Sequence, residues 1–130
     1  MGRRARQDTS ILTDGELEMM NPLWELGEAS VRQVLDALPA ERDLAYTTVA
    51  TMLRVLEQKG FVRSRKEGRS VMYTPAVAKP AYQSHSVGRL VKQLFAGSTT
   101  SLVRQLLAAE DVSAEDLAAI RELLDAEEAP

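Results

Sequence analysis

The chain has 130 residues, 45% hydrophobic and 27% charged, which fits one ordinary domain or a small domain with an appended helical segment. It has no cysteine and one histidine, His85, which excludes disulfides, thiolate metal sites and cysteine catalysis and leaves no basis for a histidine-rich metal cluster. The net charge of −3 conceals an asymmetry: residues 1–80 hold twelve Lys/Arg against eleven Asp/Glu, and residues 81–130 hold four against eight.

Residues 1–10 (MGRRARQDTS) show no apolar periodicity and read as a flexible basic arm. The arm lacks the apolar core of a secretory signal, and Arg6 stands where a myristoylation motif after Gly2 needs Ser or Thr. No later run is long and apolar enough to span a bilayer, so the expectation is a reduced, cytoplasmic protein that does not bind membranes directly. Thr13 with Glu16 forms a capping box, and Leu17, Met20, Leu23 and Trp24 follow as a helical stripe that stops at Gly27. Pro22 inside this stripe either kinks the helix or divides it. A second capping box, Ser30 with Gln33, opens a short helix carrying Val31, Val34, Leu35 and Leu38, ended by Pro39. A third helix starts near Tyr46, presents Val49, Met52, Leu53 and Leu56 at i, i+3, i+4 and i+7, and closes at Gly60.

Two short runs rich in β-branched and aromatic residues, 61–66 and 69–74, flank Glu67-Gly68 and predict a β-hairpin. Three helices followed by a basic hairpin is the order of a winged helix–turn–helix. From Pro80 onward the pattern is helical. One stripe is Val87, Leu90, Val91, Leu94 and Phe95, and a second is Leu102, Val103, Leu106 and Leu107. A third, capped by Ser113 with Asp116, carries Leu117, Ile120, Leu123 and Leu124. About fifty residues of short amphipathic helix are too few for an independent core. A second copy of the chain is the simplest partner for these stripes, which are the expected dimerisation surface. The predicted fold is mainly α with a small β-hairpin wing: an arm (1–10), a winged helix–turn–helix (11–77) and a helical dimerisation region (78–127).

The third helix carries the chemistry. In a helix–turn–helix, the second helix of the unit enters the major groove with its N-terminal residues at the base edges. Thr47, Thr48 and Thr51 are short enough for close approach and can hydrogen-bond to bases or touch thymine methyls, while Arg54 can reach a phosphate or guanine. The plainer alternative is a solvated polar face. Arg63, Arg65, Lys66 and Arg69 surround the hairpin tip, where they can pair with phosphates or simply keep an edge strand soluble. Arg3, Arg4 and Arg6 can follow a minor groove or remain an unstructured tail. Adjacent residues on a helix point apart, so Ser84, His85 and Ser86 form no catalytic dyad, and Trp24 reads as core. No nucleophile, base and oxyanion-stabilising set can be assembled, so no enzyme activity and no cofactor or metal is expected.

Three segments together resemble the BlaI/MecI (penicillinase repressor) family over roughly residues 11–125. They are LTDGELEMMNPLWELGEASVRQVLDAL, AYTTVATMLRVLEQKGFVRSRKEGRSVMYTP and SLVRQLLAAEDVSAEDLAAIRELL. The resemblance implies a homodimeric transcriptional repressor on a palindromic operator in double-stranded DNA, often with a TACA/TGTA-type dyad, controlling β-lactam-resistance genes. It also implies relief of repression through a membrane-bound sensor protease, with the cut near Gln105–Leu106 by position. Staphylococcal-type relatives carry Asn–Phe there, and this sequence departs from that pattern. Within this frame Thr47, Thr48 and Thr51 are expected to read bases, and Tyr46, Arg54, Arg65 and Arg69 to hold phosphates. A winged helix that docks another protein without touching DNA is the alternative.

Overall fold

The first helix, α1 (Asp14–Leu26), starts on the predicted capping box: the Thr13 hydroxyl accepts from the Glu16 N–H, and the Glu16 carboxylate accepts from the Thr13 N–H. The computed structural model describes residues 12–109 and 111–129, so the expected arm of residues 1–10 lies outside the described residues. Pro22 does not divide α1, which runs on to a Gly27 cap at φ +84°. The buried face is Glu16, Met19, Met20 and Leu23, an i, i+3, i+4, i+7 set. It is rotated from the expected stripe, and Leu17 and Trp24 are only half-buried. A carboxylate on the core face disguised the true register from hydrophobic periodicity.

Strand β1 (Ala29–Ser30) precedes α2 (Val31–Ala37), and Ser30 serves both as a strand residue and as the helix cap. A two-residue strand leaves no alternation to read in a sequence. Helix α3 (Tyr46–Gln58) buries Val49, Leu53 and Leu56. The hairpin is β2 (Val62–Glu67) and β3 (Ser70–Pro75), joined through Gly68 at φ +63°, a conformation that favours glycine. The antiparallel sheet has the order β1-β3-β2, with Ala29 opposite Tyr73 and Ser64 opposite Tyr73 from the other side.

Met19, Met20, Leu23, Val34, Val49, Leu53, Leu56 and Phe61 are the fully buried centre. Each large side chain removed from water contributes about 1.5–3 kcal/mol before conformational entropy is subtracted. Tyr82, closing the first turn of α4 (Lys79–Leu94), belongs to this core: its hydroxyl accepts from the Leu12 N–H at 2.9 Å, and its ring meets Phe61 edge-on at 6.1 Å. Trp24 donates from Nε1 to the Val77 carbonyl at 2.9 Å and lies 5.8 Å from the Tyr82 ring. The chain separates into two compact units between Ser86 and Val87. The first unit therefore includes the opening turns of α4, because Tyr82 is packed in its core.

Beyond that division, α4 ends before Ala96 and Gly97, both at positive φ. Helix α5 (Thr99–Ala108) is capped by Ser98, and α6 (Ala114–Glu128) by the predicted Ser113–Asp116 box. Among the described residues, α5 and α6 bury no side chain in the single chain.

Candidate nucleic-acid interface

The apolar edge of α3 faces the core, so helical geometry turns the opposite edge outward. Tyr46, Thr47, Thr48, Thr51 and Arg54 are all exposed on this helix. The Arg54 guanidinium donates to the Thr51 hydroxyl at 3.3 Å, which holds it along the threonine face. Ala45 offers no side-chain cap, so the first turn of α3 ends in unclaimed backbone amides as far as side chains are concerned.

Strand alternation sorts the wing. Val62, Ser64 and Lys66 share a face with Tyr73 and Val71, whereas Arg63, Arg65 and Glu67 share the other with Thr74, Met72 and Ser70. Tyr73 is buried and Val71 packs against the core, so the first of these faces lies toward the helices. Arg69 sits in the turn. A cleft of about 300 Å³ is lined by Tyr46 and Arg54 from α3, Arg32 from α2, and Arg69 and Tyr73 from the wing. Three arginines, Arg32, Arg54 and Arg69, give this cleft a basic lining.

Arg32 was not singled out from the sequence. Its guanidinium carbon stands 5.3 Å from the centre of the Tyr46 ring, which orients both groups at the cleft. The available signal was its place two residues after the Ser30 cap, at the start of the helix preceding α3. Burial, aided by the Glu57 carboxylate and opposed by Arg54, pushes the Tyr73 phenol above its ordinary range and keeps it neutral.

Arg65 differs from the other expected contacts. Its guanidinium donates to both carboxylate oxygens of Glu28 at 2.8 Å and pairs with Glu67 at 2.6 Å. Arg65 holds the Glu28 carboxyl below the ordinary carboxylate range, and Thr74 adds to the effect.

Of the expected dimerisation residues, Val87, Leu90, Leu94, Val103, Leu106, Leu107 and Leu124 are exposed, and Leu94 is 69% exposed. Val91, Phe95, Leu102, Leu117 and Ile120 are half-buried. Leu123 of the same α6 stripe is exposed as well. Gln105 and Leu106 lie inside α5 on exposed positions. His85 is a half-buried helical residue. Among the described residues, no group of three or more His, Asp or Glu is arranged to hold a metal ion, and no helix is long and apolar enough to cross a membrane.

A family model described as penicillinase repressor matches residues 12–126. The penicillinase repressor of Bacillus licheniformis is 28% identical over 117 residues, covering 88% of this chain and 89% of that protein. The transcriptional regulator BlaI of Mycobacterium tuberculosis is 46% identical over 65 residues, 49% of this chain and 47% of that protein. The crystal structure of M. tuberculosis Rv0081 aligns with a TM-score of 0.51 at 20% identity, over 80% of this chain and 92% of that one, a likeness of fold alone. With nearly its whole length matched and a winged helix at its core, the chain belongs to the penicillinase repressor family.

Proposed function

We propose that this protein is a DNA-binding transcriptional repressor that grips an inverted-repeat operator as a homodimer and blocks transcription by occupying the promoter. The observation that carries the reading is the single surface formed by the exposed threonines of α3 and the arginine-lined cleft beside them. Thr47, Thr48 and Thr51 meet base edges in the major groove. Tyr46, Arg54, Arg65 and Arg69 take phosphates, with Arg32 beside them in the cleft and Lys66 at the wing tip.

The exposed leucines and valines of α4, α5 and α6 support the dimer, because a soluble chain rarely leaves so many apolar side chains uncovered. Pairing matters energetically, since tethering two half-site readers makes the second contact intramolecular. The arm, winged-helix and dimerisation divisions expected from the sequence belong to this proposal, as does a cytoplasmic location beside the chromosome. So do target genes of the β-lactam-resistance type and relief by a sensor protease. A cut at Gln105–Leu106 requires α5 to open locally, because a helical peptide bond does not fit a protease groove.

The experiment is a mobility shift with a labelled inverted repeat from upstream of the gene, challenged with excess random DNA. A shift that survives the competitor is the expected result. A chain that ignores both DNAs would instead support a winged helix that docks another protein.

A further inference from the structure

Glu28 stands immediately before β1, Arg65 lies on β2 and Thr74 on β3, and the sheet order puts β3 between the other two. The Glu28 carboxylate takes two parallel hydrogen bonds from Arg65, each 2.8 Å, and a third from the Thr74 hydroxyl at 3.2 Å. The bond therefore crosses the whole sheet, from the strand that leads into α2 to the outer strand of the wing. Such two-pronged pairs fix direction as well as distance. Both side chains are partly exposed, at 52% for Arg65 and 34% for Glu28, so the pair adds little to global stability. What it defines is where the wing stands relative to the helix–turn–helix.

We infer that Glu28 is a positioning residue for DNA binding: through Arg65 it holds the wing so that Lys66 and Arg69 reach phosphate, and the Arg65 charge is used within the protein. The inference rests on the DNA-binding reading above and refines it by removing Arg65 from the phosphate-contacting set. Alternation supports this division, since Arg65 and Lys66 occupy opposite faces of β2. Glu67, the second carboxylate on Arg65, leaves the guanidinium surrounded by negative charge, a poor setting for a further anion.

The test is fluorescence anisotropy of the full chain on a fluorescein-labelled duplex from upstream of the gene, across a salt series. Arg65→Ala, Arg65→Lys and Glu28→Gln should each weaken binding roughly three- to tenfold, as couplings within one side-chain network run. None should change the slope of log affinity against log salt. The double variant Glu28→Gln/Arg65→Ala should be no weaker than either single one. Arg69→Ala is the control and should lower the slope by about one. A slope lowered by about one in Arg65→Ala overturns the inference, because Arg65 then neutralises a phosphate. Tighter binding by Glu28→Gln also overturns it, because Glu28 then masks Arg65. If the unaltered chain binds no duplex, the DNA-binding reading fails and this inference fails with it.

Discussion

Lys59, in the cap that ends α3, donates to the carboxylate of Glu16 in the first turn of α1, forty-three residues earlier. The Glu16 side chain is only 10% exposed, so the pair is a charged link between two helices whose buried faces are otherwise apolar. Burial alone would raise the Glu16 carboxyl, but Lys59 and the Thr13 N–H outweigh it and hold the group below its ordinary range.

A carboxylate depressed in the folded state contributes stability above its unfolded pKa and loses it as pH falls through the folded value. Denaturation of the unaltered chain should show this acid loss below the ordinary carboxylate range, near 4.5 and downward. Lys59→Met should cost about 2 kcal/mol near neutrality, a figure reduced from that of a fully buried pair because Lys59 is partly exposed. It should also flatten the acid limb, since Glu16 then gains from protonation. Parallel urea melts across the acidic range check both.

The Tyr82 hydroxyl and the Trp24 indole test how the first turns of α4 are fastened to the winged helix. Tyr82→Phe leaves the buried Leu12 N–H without its acceptor and should cost about 1–3 kcal/mol. Trp24→Phe removes the donor to the Val77 carbonyl in a half-buried setting and should cost less, about 1 kcal/mol. Equilibrium urea denaturation ranks the two, and Tyr82→Phe should fall first.

The threonine face and the wing tip should separate in their effects on DNA. Arg69→Ala and Lys66→Ala are expected to weaken operator and random duplex alike and to lower the salt slope by about one each. Thr48→Ala should leave the slope unchanged while reducing the preference for operator by about 1 kcal/mol or more. Anisotropy titrations on both duplexes at several salt concentrations distinguish the two patterns.

Leu94 and Leu106 are exposed in the single chain, so a charge at either position should barely alter monomer folding. On the dimer reading, Leu94→Glu and Leu106→Glu should each yield a folded monomer in sedimentation velocity, with operator affinity at least about a hundredfold lower. Unchanged sedimentation in both would place the interface elsewhere.

Local signals were the legible ones. Each capping box names its helix start within four residues, the α3 stripe needs only the i, i+3, i+4, i+7 spacing, and Glu67-Gly68 marks the turn between two β-rich runs. Features that depend on distant partners were not legible. Glu16 reads only as a helix cap until Lys59 is brought to it, and the expected α1 stripe passes over Met19, which shares its buried face. Strand β1 exists only because β3 lies beside it. Arg65 reads as a free cation until the sheet brings it to Glu28, thirty-seven residues away. Tyr82 falls in a stretch with few large apolar neighbours, and its burial depends on Phe61 and on Leu12, seventy residues earlier.

Hydroxyl-radical footprinting of the full chain on the upstream inverted repeat tests the central claim most directly. The account predicts two protected patches whose centres lie about one helical turn apart, or a multiple of it, at modest ionic strength. It also predicts that Thr48→Ala spreads the protection onto flanking sequence. Uniform cleavage along the duplex, with or without the protein, would contradict it.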